Sequence, residues 1–174
     1  GVVRVKEVGD LFNSAAVLDS RHLPRGRRLA IVTNAGGPGV MATDELIELG
    51  GELAKLSDES IEQLSSALPP YWSRGNPIDV LGDADIARYA NALNVCLNDP
   101  GVDGILVTYT PQGAAGAEEL ASSVAEIAKN AWKPMIVTWM GGEGVEEARK
   151  IFARSDIPTY ETPEEAVRTY MYMY

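Results

Sequence analysis

From Leu29 onward the chain alternates short runs of apolar, largely β-branched residues with longer stretches in which apolar positions recur every three or four residues. Runs of the first kind suit extended strands, and spacing of the second kind puts one apolar stripe on a helix. The runs at 29–33, 52–56, 104–109, 135–139 and 159–160 predict strands, and the stretches at 38–49, 58–68, 85–97, 117–129, 144–153 and 163–173 predict helices. In the first of these helices Ala42, Leu46 and Leu49 share a face, while Asp44, Glu45 and Glu48 turn to water. Ser57 before Asp58-Glu59 and Thr162 before Pro163-Glu164-Glu165 read as N-caps. Upstream, residues 2–5 predict a short strand, and Val8, Leu11, Phe12, Ala15 and Leu18 predict an amphipathic lead-in helix joined by a connector at 19–28.

Strands that alternate with helices pair in parallel through crossover connections. The pattern therefore predicts an α/β, flavodoxin-like open parallel five-stranded sheet, ordered 2-1-3-4-5, with helices on both faces. Residues 1–28 form the lead-in and connector, and 29–174 the main domain. Such sheets bind ligands beyond the carboxyl ends of their strands where strand order reverses, here between the first and third strands. One segment breaks the rhythm: 69–82 is a long, non-repetitive insertion between two helices. Connections of that kind are often functional.

The expected switch point coincides with Thr33-Asn34-Ala35-Gly36-Gly37-Pro38-Gly39-Val40, a glycine-rich turn that runs from a strand straight into a helix. Glycines let a ligand approach the main chain, and the first amides of a helix have no internal acceptor and lie at the positive end of its dipole. Pro38 suits a helix start, where its missing N–H costs little. We expect Asn34, Ala35, Gly36, Gly37, Gly39 and Val40 to hold a phosphate or phosphorylated group through backbone alone, since no Lys or Arg lies in the turn. Arg74, Asn76 and Asp79 of the insertion, Gln112 after the third strand, and Gly142 and Glu143 after the fourth reach the same edge and are candidates to complete the pocket. For Asp79, fixing its own loop is the preferred reading over catalysis.

Other chemistries fit less well. Residues 37–42 match the loose G-x-G-x-x-A dinucleotide fingerprint with Asp58 at ribose-acid spacing, but Asp58 is explained as the acidic first turn of a helix. No Gly-Lys-Ser/Thr follows the glycines, so the P-loop pattern fails. His22 reads as a surface residue of the connector. A net charge of −10, with the only dense basic stretch at 21–28, argues against nucleic acid. Composition is that of a globular domain, 45% hydrophobic and 23% charged over 174 residues, with no run long enough to span a membrane. A single cysteine, Cys96, precludes a disulfide framework within the chain and fits a reducing, cytoplasmic compartment. The start at Gly1 and the Tyr170-Met171-Tyr172-Met173-Tyr174 ending lead us to expect a domain excised from something longer.

Taken in order, the glycine turn through Asp44, then Gly75-Asn76-Pro77-Ile78-Asp79-Val80, Asp99-Pro100-Gly101-Val102-Asp103-Gly104-Ile105, Lys133-Pro134 and Met140-Gly141-Gly142 resemble the NDP-forming acyl-CoA ligases, in particular ADP-forming acetyl-CoA synthetase. The glycine turn is also similar to that in the carboxy-terminal domain of the succinyl-CoA synthetase β subunit. The resemblance implies a ligase that turns acyl-CoA, phosphate and ADP into acid, CoA and ATP through an acyl phosphate and a phosphohistidine. It implies that this chain is the second flavodoxin-like ligase domain, whose glycine turn docks the phosphohistidine of a neighbouring CoA-binding domain. An ATP-grasp domain would complete the enzyme. CoA, ADP/ATP, phosphate and Mg would then serve the full enzyme, with no cofactor bound by this chain alone and no catalytic residue carried by it. His22 does not match the family histidine. The alternative is a non-catalytic ligand-sensing module fused to an acetyltransferase.

Overall fold

The computed structural model describes residue 5 and residues 8–17, 23–112 and 115–174. In chain order the elements are α1 (Val8–Val17), β1 (Arg28–Thr33), α2 (Gly36–Glu48), β2 (Glu52–Leu53), α3 (Asp58–Ala67), β3 (Ile78–Asp79), α4 (Ile86–Asn98), β4 (Gly104–Tyr109), α5 (Ala117–Lys129), β5 (Met135–Trp139), α6 (Glu146–Arg154), β6 (Thr159–Tyr160) and α7 (Pro163–Met173). All strand pairs are parallel, in the order β2-β1-β4-β5-β6. This is the expected five-strand order. The expected strand at 2–5 and the residues His22 and Leu18 lie outside the described residues, except for Val5, which belongs to no element.

Two apolar layers form because successive strand residues point to opposite faces. Leu29, Ile31, Leu106 and Ile136 pack beneath α2 and α7, with Ala42, Leu46, Ala166, Val167 and Tyr170. Ala30, Val32, Ile105, Val107 and Val137 pack beneath α3, α4, α5 and α6. Ser57 caps α3 by accepting from the Ser60 N–H (3.2 Å), and Thr162 caps α7 by accepting from the Glu165 N–H (3.3 Å), as their sequence positions predict. Glu45 departs from its expected solvent face: its carboxylate accepts from Arg168 of α7 at 3.2 Å, because the α2–α7 packing brings the two helices together there. Among the described residues no helix is long and apolar enough to cross a membrane.

The insertion at 69–82 contains a strand that the sequence pattern does not announce. β2 pairs only with the start of β1, at Arg28 and Leu29, and then leaves the sheet. β3 takes over the same edge at the other end, with Val32 opposite Ile78 and Thr33 opposite Asp79. Asn76 fills the break between them. Its Nδ2 donates to the carbonyls of Leu29 (2.8 Å) and Ala54 (3.1 Å), and its Oδ1 accepts from the Ile31 N–H (2.9 Å). One carboxamide thus stands in for a missing strand residue.

At the amino edge, Arg28 grips Asp103 with both Nη2 to Oδ1 (2.7 Å) and Nε to Oδ2 (2.8 Å), and its N–H adds a third bond (3.1 Å). The bonds from the Arg28 side chain hold the Asp103 carboxyl below its ordinary value of 3.8. A carboxyl lowered in the folded state lends stability above its unfolded value and loses it as pH falls through the folded one. Acid unfolding monitored by circular dichroism should therefore show Asp103→Asn less stable than the native chain at neutral pH, with the gap closing below about pH 4. A gap that stays constant to low pH would contradict the assignment.

Candidate functional site at the first strand-to-helix turn

β1 ends at Thr33, and the chain reverses into α2 through Asn34 and Ala35 at the point where strand order reverses between β1 and β4. The turn is built from its own polar atoms. Thr33 Oγ1 donates to the Ala35 carbonyl (2.8 Å) and lies 3.1 Å from the Ala35 N–H. Asn34, 5% exposed, donates through Nδ2 to the Thr110 carbonyl (2.7 Å) and accepts at Oδ1 from the Thr110 N–H (2.9 Å). The Thr110 hydroxyl also accepts from Gln112 Nε2 (3.0 Å). The turns after β1 and β4 are thereby tied together.

These bonds narrow the expected cradle. The Asn34 side chain and the Ala35 amide are committed internally. The Gly39 N–H reaches back to the Ala35 carbonyl at 3.5 Å, Pro38 has no N–H, and Val40 lies inside the helical ladder. The helix begins two residues earlier than predicted, at Gly36, because Pro38 within a first turn forfeits no intrahelical bond. What remains outward are the amides of Gly36 and Gly37, both exposed, at a helix start whose N-cap Ala35 has no capping side chain.

The glycines divide by their surroundings. A Cβ on Gly39 would sit 3.1 Å from Thr33 Cγ2 and 3.3 Å from Pro77 Cβ, so any side chain there would press on both neighbours. A Cβ on Gly37 would meet nothing within 4 Å, and neither its backbone angles nor its neighbours require glycine. In a helix such a residue costs about 1 kcal/mol relative to alanine. A Cβ on Gly36 would approach only Asp79 Oδ2, at 3.8 Å. A carboxylate rather than a cation therefore borders the helix start.

The remaining candidates fall into place around this turn unevenly. Asp79 Oδ1 accepts from the Leu81 N–H (2.8 Å), the loop-fixing role preferred from sequence, and the Asp79 N–H donates to Ser73 Oγ (3.1 Å). Gln112 lies over Gly82, where any Cβ would overlap its side chain. Gly141 packs on Pro111, with Gly142 and Glu143 exposed in a 3-10 turn (Gly142–Val145) that precedes α6. Arg74 is exposed, and its guanidinium donates to the Pro70 carbonyl at 3.4 Å. Asn76 is no pocket residue, since its whole carboxamide is engaged inside the sheet.

Sequence reasoning passed over Thr110 and Tyr89. The Tyr89 hydroxyl is buried beneath the turn, donates to the Thr108 carbonyl (3.0 Å), and is pushed well above its ordinary pKa by loss of solvent. Its place in the apolar stripe of α4 was the only signal available. Among the described residues no group of His, Cys, Asp or Glu is arranged to hold a metal. Asp58 sits in the first turn of α3 behind its Ser57 cap, as the non-dinucleotide reading requires.

The sequence profile of the Ligase-CoA domain family matches residues 29–171, which include the turn, the insertion and every strand but the first residue of β1. The chain belongs to the Ligase-CoA domain family. It is 35% identical over 171 residues to the acetate–CoA ligase (ADP-forming) II subunit alpha of Pyrococcus furiosus, with 95% of this chain and 37% of that protein covered. It is 34% identical over 170 residues to the 4-hydroxybutyrate–CoA ligase (ADP-forming) of Nitrosopumilus maritimus, covering 97% of this chain and 24% of that protein. Among solved structures, an acetyl-coenzyme A synthetase 1 of Candidatus Korarchaeum cryptofilum, in complex with phosphate and ADP, superposes with a TM-score of 0.90. That match is at 32% identity and covers 98% of this chain and 37% of the other. The chain thus spans well under half the length of each of these ligases.

Proposed function

We propose that this chain serves as the phosphohistidine-docking domain of a cytoplasmic, ADP-forming acyl-CoA synthetase. The observation that carries the reading is the start of α2: two exposed glycine amides, no capping side chain, and a Gly37 that nothing inside the domain requires. In the reaction proposed for the complete ligase, phosphate displaces CoA from the acyl-CoA to give an acyl phosphate. A histidine of the neighbouring CoA-binding domain takes the phosphoryl group and releases the acid. ADP, held by an ATP-grasp domain, then takes it to form ATP. The chain itself contributes no bond-making group.

Its part is to hold a charged, travelling phosphoimidazole and let it go. Helix-terminal amides stabilise an anion without an ion pair, so their hold on it is moderate. Docking is therefore reversible by construction. A compartment that keeps thiols reduced suits Cys96, which is fully buried, its thiol pushed up to about 12 by desolvation.

Crystals of the chain grown in high phosphate test the cradle directly. Density for an anion is expected within hydrogen-bond reach of the Gly36 and Gly37 amides. Well-ordered but empty density there, at a phosphate concentration that fills other sites, would remove the docking role.

A further inference from the structure

The last turns of α4 and α5 come together at the amino ends of β4 and β5, the opposite end of the sheet from the glycine turn. A groove of about 330 Å³ opens between them. Its floor is apolar, formed by the buried Leu97 and the half-buried Ile127, and one wall is Trp132, on the connection from α5 to β5. Trp132 is 58% exposed, whereas Trp72 and Trp139 are buried.

The polar rim of the groove offers acceptors and few donors. Asn98 Nδ2 donates to the Asn94 carbonyl (2.8 Å), and Asn130 Nδ2 donates to the Glu126 carbonyl (3.3 Å). A carboxamide that turns its NH2 back onto its own helix leaves its oxygen directed away from that helix. Glu126 adds a carboxylate, which accepts from Lys129 through Oε2 at 2.9 Å. It is the one charged residue that lines the groove. Lys133, close by in sequence, turns inward and donates to the carbonyls of Cys96 and Asp99.

We propose that this groove binds a small aliphatic amine or guanidine in its protonated form. The N–H donors of such a ligand meet the Asn98 and Asn130 oxygens and the Glu126 carboxylate. Its alkyl stem covers Leu97 and Ile127, and its charge lies against the indole face of Trp132. An anion would meet acceptors alone, and a neutral alcohol would gain nothing from the ring quadrupole. A free small molecule is favoured over the side chain of a partner protein. Protein interfaces surround their anchors with further apolar contacts, and among the described residues α3, α4, α5 and α6 expose no large hydrophobic side chain around the groove. The site is independent of the docking role assigned to α2.

NMR titration of the isotopically labelled chain tests the site. Agmatine and 1,4-diaminobutane serve as probes at low ionic strength, with 1,4-butanediol as the uncharged match. The Trp132 indole N–H is assigned by its loss in Trp132→Leu, and the buried Trp72 and Trp139 are internal references. Both cations are expected to shift the Trp132 signal and the Asn98 and Asn130 carboxamides saturably, with half-saturation at about 1–10 mM, and the diol is expected to shift none of them. Trp132→Leu, read on the carboxamide signals, should weaken binding about threefold or more. Glu126→Gln should also weaken it and flatten its dependence on salt. Both side chains are exposed, so the fold is expected to survive, and thermal unfolding of each variant checks this. Shifts that do not saturate, shifts that the diol reproduces, or an affinity unchanged in folded Trp132→Leu would each overturn the proposal.

Discussion

Gly37→Val in the complete ligase is expected to lower phosphoryl transfer by about 100-fold, the loss typical of removing a pre-aimed amide donor from a developing or travelling charge. The fold should survive. A Cβ at Gly37 meets nothing within 4 Å, and the residue lies on the exposed side of the first turn of α2. Valine there places its methyls where a docked phosphoryl group would sit, while chain stability changes by less than about 1 kcal/mol, because valine is a poor helix former but glycine is poorer. Gly39→Val is the instructive contrast. Its Cβ would press on Thr33 and Pro77, so it should lose activity together with stability. Quenched-flow measurement of histidine phosphorylation, paired with thermal unfolding of each variant, separates the two. Full phosphorylation rates in a folded Gly37→Val ligase would exclude this turn from the reaction.

Asn76→Ala should be the most damaging single change to the fold outside the apolar core. The carboxamide satisfies the Ile31 N–H and the Leu29 and Ala54 carbonyls, which span β1 and the chain after β2. Each buried backbone group left without a partner costs about 1–3 kcal/mol, and partial access of water to this edge tempers the sum to about 3 kcal/mol. Urea unfolding at neutral pH measures it. Asn76→Asp keeps the acceptor for Ile31 but sets a carboxylate against two carbonyls, so it should be no better than alanine. A loss below about 1 kcal/mol in Asn76→Ala would mean that solvent replaces the bridge, and that β3 does not depend on it.

The two residues illustrate how differently position and role were legible. The glycine turn could be placed in advance because a β-branched run, a cluster of glycines and an amphipathic stretch follow one another without a gap, and each carries its own local signal. Which glycine serves packing and which leaves space was not legible. That distinction depends on Thr33 and Pro77, the second brought in by a strand far along the chain. Asn76 was legible as part of an unusual insertion and was misjudged as a pocket residue. A side chain that replaces a strand residue leaves no periodicity to detect, and a two-residue strand such as β3 is too short to show alternation. Where Arg74 rests was not legible for a related reason: its positive φ of 52° and its bond to the Pro70 carbonyl depend on the path of the loop.

Local patterning determined the order and type of every strand from 29 onward except β3, the helices between them, and the caps at Ser57 and Thr162. These depend on side-chain periodicity, turn residues and chain connectivity, all of which act over a few neighbours. Tertiary structure alone decided that Asn34 ties the first turn to Thr110, and that the apolar stripes of α1 and α2 remain uncovered. Each of those outcomes turns on contacts between residues distant in sequence, or on their absence. A one-dimensional pattern records that a stripe is apolar but not which surface is there to bury it.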